Sequence, residues 1–180
     1  IVVVGFLAYV ATRPDTFRVV RSASIAAPAD LVYARLSNFH AWESWSPWEK
    51  LDPAMVRDFS GTDGAVGATY GWTGNKEVGK GKMTISDTQP PTKLTIQLDF
   101  IEPFAASNVT TFNLAPQGDG TKVTWTMDGN HNFMSKTMCV FMDMDKMVGA
   151  DFEKGLTSLK SQSETAAAEA KAAAEAAAAA

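Results

Sequence analysis

The sequence predicts an α+β fold: a curved antiparallel sheet of six to seven strands gripping one long C-terminal helix, with two short helices after the first strand. Three observations carry this reading. Between Phe17 and Gly129 apolar residues recur with a period of two, as half-buried strands require. Short turns separate the runs, and strands joined that way must be antiparallel, because parallel neighbours need a crossover of a dozen or more residues. From about Met134 to Ser163 the period changes to three and four, the spacing of one helical face.

The elements follow in order. Phe17, Val19, Ala23 and Ile25 make the inner face of a first strand, with Arg21 interrupting it. Pro28-Ala-Asp-Leu-Val-Tyr-Ala-Arg-Leu36 opens on a proline, which a first helical turn tolerates, and carries Val32 and Leu36 at i,i+4. Ala68, Tyr70 and Trp72 form a later strand face, as do Leu94, Ile96, Leu98 and Phe100, and then Val123, Trp125 and Met127. Turn signals at Gly61–Gly64, Gly74-Asn75, Pro90-Pro91 and Gly118–Gly120 divide them. In the long helix Met134, Met138, Phe141, Val148, Phe152, Leu156 and Leu159 share a face. A helix of that length, about 45 Å, can cross a whole sheet. Sheet and helix diverge at one end, and that gap is the natural ligand site.

Both ends of the chain differ in composition from its body. Residues 1–12 begin with eleven apolar residues from Ile1 to Ala11, too short a run to span a bilayer alone. They are expected to be the remnant of a membrane anchor. A secretory apolar segment is the rival reading, against which Tyr9 and Val10 stand where a cleavage site wants small residues, and a first strand of the domain is the third. Arg13, Arg18 and Arg21 follow closely and favour the cytoplasmic side by the positive-inside rule. The folded domain is expected over residues 13–163. In the last stretch, 164–180, twelve of the fifteen residues from Ala166 to Ala180 are Ala, which predicts a solvated helical tail.

Composition excludes several functions. The 180 residues are 46% apolar and 20% charged, within the globular range, and the net charge is −4. With no block of Lys and Arg to neutralise phosphates, nucleic acid is not an expected partner. One cysteine, Cys139, allows no internal disulfide. His40 and His131 lie far apart, so no metal site is expected. Gly79-x-Gly81 lacks the third glycine and the following helix of a dinucleotide fingerprint, and no cofactor is expected. These glycines are expected instead to keep a bent strand clear of a crowded interior.

Six segments, taken in this order, resemble the SRPBCC, or START-like helix-grip, superfamily, in particular its polyketide cyclase/dehydrase and lipid-transport branch. They are Ser24–Tyr33, Trp45-Ser-Pro-Trp48, Gly67–Trp72, Val78–Met83, Gly120–Trp125 and Met147–Leu156. The resemblance covers roughly Phe17 to Lys160. It implies a hydrophobic cavity for lipids, polyketides or other apolar metabolites, and many similar bacterial proteins carry one N-terminal membrane segment. It implies no catalytic motif that can be carried over residue by residue.

The expected partner is therefore a small apolar ligand held between sheet and helix, with the membrane reached through the N-terminal segment. Candidate ligand-binding residues are Trp48, Tyr70, Trp72, Phe100, Trp125, Phe141, Asp145 and Phe152. The aromatic rings, with Trp42 and Trp45 beside them, suit the walls of a cavity for flat ligands, although each taken singly suits core packing as well. Met134, Met138, Met142, Met144 and Met147 suit either an adaptable pocket or ordinary core filling. Asp145 is the candidate catalytic residue. At 100° per residue it falls near the centre of the apolar stripe, where a carboxylate must find a partner or take up a proton. Three readings follow: binding without covalent chemistry; a cyclase, dehydratase or hydrolase using Asp145 for proton transfer; and a metabolite-sensing regulatory domain. An Asp145 beside a second titratable group in a closed pocket favours the enzyme, and a salt-bridged one favours the binder.

Overall fold

The structure is a computed structural model that describes residues 9–131, 136–137 and 143–179. Seven strands form one antiparallel sheet: β1 (Thr16–Ile25), β2 (Val56–Ser60), β3 (Thr69–Thr73), β4 (Lys80–Gln89), β5 (Lys93–Glu102), β6 (Ala106–Gln117) and β7 (Gly120–Asn130). Their order across the sheet is β1-β7-β6-β5-β4-β3-β2, so β1 and β2 are the edges. From β2 to β7 each strand pairs with the next in sequence, and only β1 is brought alongside β7 from a distance. The connection from β1 to the far edge carries helix α1 (Ala29–Ser37), a 3₁₀ turn at Phe39–Ala41, the short helix α2 (Trp42–Trp45) and a second 3₁₀ turn at Pro47–Lys50. Pro28 stands just ahead of α1, where its missing N–H costs no hydrogen bond.

Helix α3 runs from Met144 to Ala178, 35 residues without a break. Asp143 caps it, its Oδ1 accepting from the Lys146 N–H at 3.2 Å. The apolar stripe and the Ala-rich tail thus belong to one helix, not to a helix ending at Ser163 and a separate tail. The expected start at Met134 lies outside the described residues, as do Met138, Phe141 and Met142. Most of the expected membrane-anchor segment, residues 1–8, also lies outside them. No helix among the described residues is long and apolar enough to cross a membrane.

The core sits between the inner face of the sheet and one face of α1, α2 and α3. Val19, Ile85, Ile96, Phe112, Val123 and Leu159 are buried there. On α3 the buried positions are Gly149, Phe152, Gly155, Leu156, Leu159 and Ser163, which is the expected helical spacing. Gly155 is required by close approach: a Cβ there would lie 2.9 Å from Cζ3 of Trp125 and 3.2 Å from Cδ of Pro47. The helix therefore lies directly against the indole. Arg21, the cation that interrupts the inner face of β1, reaches α3. It is only 23% exposed and its Nε donates to Oε1 of Glu153 at 2.8 Å.

Candidate functional site

Sheet register brings the aromatic side chains of the central and far strands onto one inner surface. Trp72 on β3 pairs with Gly81 on β4, and Gly81 pairs with Phe100 on β5. A Cβ on Gly81 would meet Cζ2 of Trp72 at 2.3 Å. Glycine there lets the indole lie across β4, with its ring centroid 5.9 Å from that of Phe100 in an edge-on arrangement. Tyr70, two residues before Trp72 and on the same face, pairs with Met83, and Met83 with Leu98. On β7 Trp125 stacks on Phe152 of α3, centroids 3.9 Å apart and planes 9° from parallel. Trp48, from the second 3₁₀ turn, stands edge-on to both.

These residues enclose a cavity of about 300 Å³ between the sheet, the segment from Trp42 to Met55 and the start of α3. Six of the eight sequence-predicted residues, Trp48, Tyr70, Trp72, Phe100, Trp125 and Phe152, line it. Phe141 lies outside the described residues. Trp42 contributes to the wall, whereas Trp45 is fully buried in the core beside Phe112. Of the methionines, Met147 lines the cavity, as do Met55, Met83 and Met127 from elsewhere in the chain.

Asp145 is placed differently from its expected position. It does not line the cavity, its side chain is 56% exposed, and Arg21 holds both its oxygens, with Nη1–Oδ1 at 3.0 Å and Nη2–Oδ2 at 3.1 Å. Hydrogen bonding to Arg21, reinforced by the guanidinium charge, lowers the Asp145 pKa below the ordinary value, so the carboxylate is ionised. The helical count is right about the face of α3. Opposite that face, however, lies the edge strand β1 with Arg21, and not the cavity.

Three carboxylates line the cavity, Glu77 and Asp151 at more exposed positions and Glu49 buried in the wall, and the sequence offers little to single out Glu49. Its side chain is 5% exposed. Oε2 accepts from Nε of Arg57 at 2.8 Å, Oε1 accepts a short hydrogen bond from the Tyr70 hydroxyl, and Arg57 also donates to the Met55 carbonyl at 3.0 Å. Burial, and then the hydrogen bond to Glu49, push the Tyr70 phenol far above its usual pKa, so it stays protonated as a donor. The signal that could have found this group is Arg57, a cation sharing the inner face of β2 with Phe59.

The indole N–H groups in the wall are mostly committed. Trp42 donates to the Leu36 carbonyl at 2.9 Å, Trp72 to the Val78 carbonyl at 3.0 Å, and Trp125 to the Thr110 hydroxyl at 2.8 Å. Thr110 in turn donates to the Thr126 carbonyl at 3.0 Å. Among the described residues no group of three or more His, Cys, Asp or Glu side chains is placed to hold a metal ion. The site is an aromatic chamber with the Glu49–Arg57–Tyr70 cluster at its wall and Glu77 and Asp151 also lining it.

Solved structures share this architecture at low sequence identity. A protein from Chromobacterium violaceum is 18% identical, with a TM-score of 0.59 over 84% of this chain and 99% of its own. The Aha1 dimer from Colwellia psychrerythraea is also 18% identical, with a TM-score of 0.58 over 82% of this chain and 96% of its own. The ginseng major latex-like protein 151 from Panax ginseng is 13% identical, with a TM-score of 0.58 over 83% and 99%. Such identities establish the fold alone. No curated protein matches the chain significantly in sequence. The family described as polyketide cyclase / dehydrase and lipid transport matches residues 16–164, from the first residue of β1 to Glu164 of α3. The helix-grip architecture and this match agree, and the chain belongs to that family, whose fold and description support ligand binding in general.

Proposed function

We propose that this protein is a binding module that holds a lipid-like, polyketide or other apolar small molecule between its sheet and α3, without covalent chemistry. The observation that carries the proposal is the aromatic-walled cavity of about 300 Å³. That volume is at the small end of ligand sites, which run from roughly 300 to 1,000 Å³. It suits one ring system or one short alkyl chain better than a two-chain lipid. The pairing of Asp145 with Arg21 supports binding over proton-transfer catalysis, because the candidate acid is held as an ion pair away from the cavity.

Titration with the neutral fluorophore N-phenylnaphthylamine tests the proposal. Saturable binding in the micromolar range, equivalent to about −8 kcal/mol, is expected together with a change in Trp emission. Leu98→Phe fills space in the cavity wall and should weaken binding at least about ten-fold, while cooperative unfolding persists because added volume goes into a void. Absence of a saturable signal, or equal affinity in the filled variant, would overturn the reading.

A further inference from the structure

The charge and hydrogen-bond inventory of the cavity narrows the class of ligand. We propose that the cavity selects an apolar molecule ending in a protonated amine and discriminates against carboxylate amphiphiles such as fatty-acid anions. This rests on the binding reading above.

Among the residues that line the cavity, Glu49, Glu77 and Asp151 are acidic, and none is Lys, Arg or His. The residues outside the described set include no Asp, Glu, Lys, Arg or His, so no further formal charge enters this inventory. Arg57 does not line the cavity and donates to Glu49 and to the Met55 carbonyl. An entering carboxylate would therefore lose its hydration and find no ion to replace it, which is the costly way to bury a charge.

Most neutral donors of the described lining residues are already engaged. The N–H groups of Trp42, Trp72 and Trp125 and the hydroxyls of Tyr70 and Thr110 all have protein acceptors, which leaves the Trp48 N–H and the Ser46 hydroxyl as the neutral side-chain donors of the described lining, neither of them a charge that could replace a carboxylate's hydration. The wall also offers acceptor capacity on the Glu49 carboxylate.

Two features favour a cation positively. Glu77 is exposed on the loop between β3 and β4, and Asp151 is 32% exposed on the facing turn of α3, so both carboxylates stand at the rim where an ammonium could stay partly hydrated. Asp151 is also 2.9 Å from the Lys154 ammonium, but that pair is on the surface, and such pairs are weak and exchangeable. Behind the rim, Trp48 and Trp72 supply aromatic faces that attract ammonium groups.

The test uses three ligands of one chain length, octylamine, octanol and octanoate, each displacing N-phenylnaphthylamine from the full chain at neutral pH. Octylammonium is expected to bind at least as tightly as octanol, although it is much better hydrated in water, and octanoate about ten-fold or more weakly than octanol. Added salt should narrow the gap, because the rim is exposed to screening. The double substitution E77Q/D151N should lower the preference for amine over carboxylate at least about five-fold, with little effect on octanol. Octanoate binding as tightly as octanol, or an unchanged order in the double variant, would overturn the selectivity while leaving the binding module intact. Failure of the fluorophore itself to bind would remove both.

Discussion

Two carboxylates illustrate how position decides the role of a residue. Glu49 is buried against Arg57 and Tyr70, and each of its oxygens has a partner. Glu49→Ala would leave a largely buried guanidinium and a buried phenol unpaired. A loss of about 2–3 kcal/mol is expected, below the range for a fully enclosed pair because Arg57 keeps 21% of its exposure. Tyr70→Phe removes one hydrogen bond but leaves the ion pair, so about 1 kcal/mol is expected. Urea unfolding of the two variants measures both, and equal losses would contradict the assignment of Arg57 as the main partner. Asp145 lies in the opposite situation, exposed and held by Arg21. Its folded pKa is lowered from the usual 3.8, so the ionised form is favoured by folding. That contribution is fully present above the unfolded value and is lost as the pH falls through the lower, folded value. Asp145→Asn should therefore be slightly less stable than the parent near pH 7, with the difference closing in acid and ligand affinity unchanged. A stabilised Asp145→Asn variant, or one with altered ligand affinity, would contradict this placement. Arg21 was visible in the sequence as a break in an apolar strand face. Its partners were not, since strand alternation gives the side a residue faces and not the residue opposite.

Among the elements, α3 combines two kinds of helix. Its first half is held by packing: Phe152, Leu156 and Leu159 are buried, and Gly155 brings the backbone against Trp125. Near the crossing with the chain after β1, Glu164 accepts from the Ala26 N–H at 2.8 Å and pairs with Lys160 at 2.7 Å. Ala167 still packs on the core, but from Ala168 to Ala179 every residue is exposed. Propensity and one exposed i,i+4 pair, Lys171 with Glu175 at 3.9 Å, maintain this last part, and an isolated helix of that length is marginal in water. Here it extends a helix already nucleated by packing. Removing residues 168–180 should leave the melting temperature within about 2 °C while lowering helical ellipticity, because no buried surface is lost. A large fall in stability would mean that the tail packs in solution. Leu159→Ala, by contrast, should cost about 2–5 kcal/mol, the usual range for a fully buried leucine. The helical character of both halves could be read from the sequence, one from periodicity and the other from alanine content. That they form a single helix could not, because nothing at Ser163 or Glu164 marks either a stop or a continuation.

At the scale of the whole molecule, the sheet order places β1 at one edge and β2 at the other, with α3 packed against β1 and the cavity between α3 and the strands beyond. The segments that resemble the helix-grip superfamily are spread over the sheet and the helices that cover it, which is why the fold was legible from the sequence: each strand face, turn and helical stripe is a local pattern repeated in a definite order. The same holds for the aromatic wall. Trp72, Phe100 and Trp125 occupy alternate positions on strands, and alternation alone puts each on the inner face. The sequence by itself thus determined the α+β class, the antiparallel strands, the covered face of α3 and the aromatic character of the interior. Only the tertiary structure decided which acids line the cavity and which is tied to the edge strand. Periodicity sets a side chain's direction about its own element, but its partner depends on strand register and on where the helix crosses the sheet. Those are set by contacts between residues far apart in sequence, such as Arg21 with Asp145 and Tyr70 with Glu49.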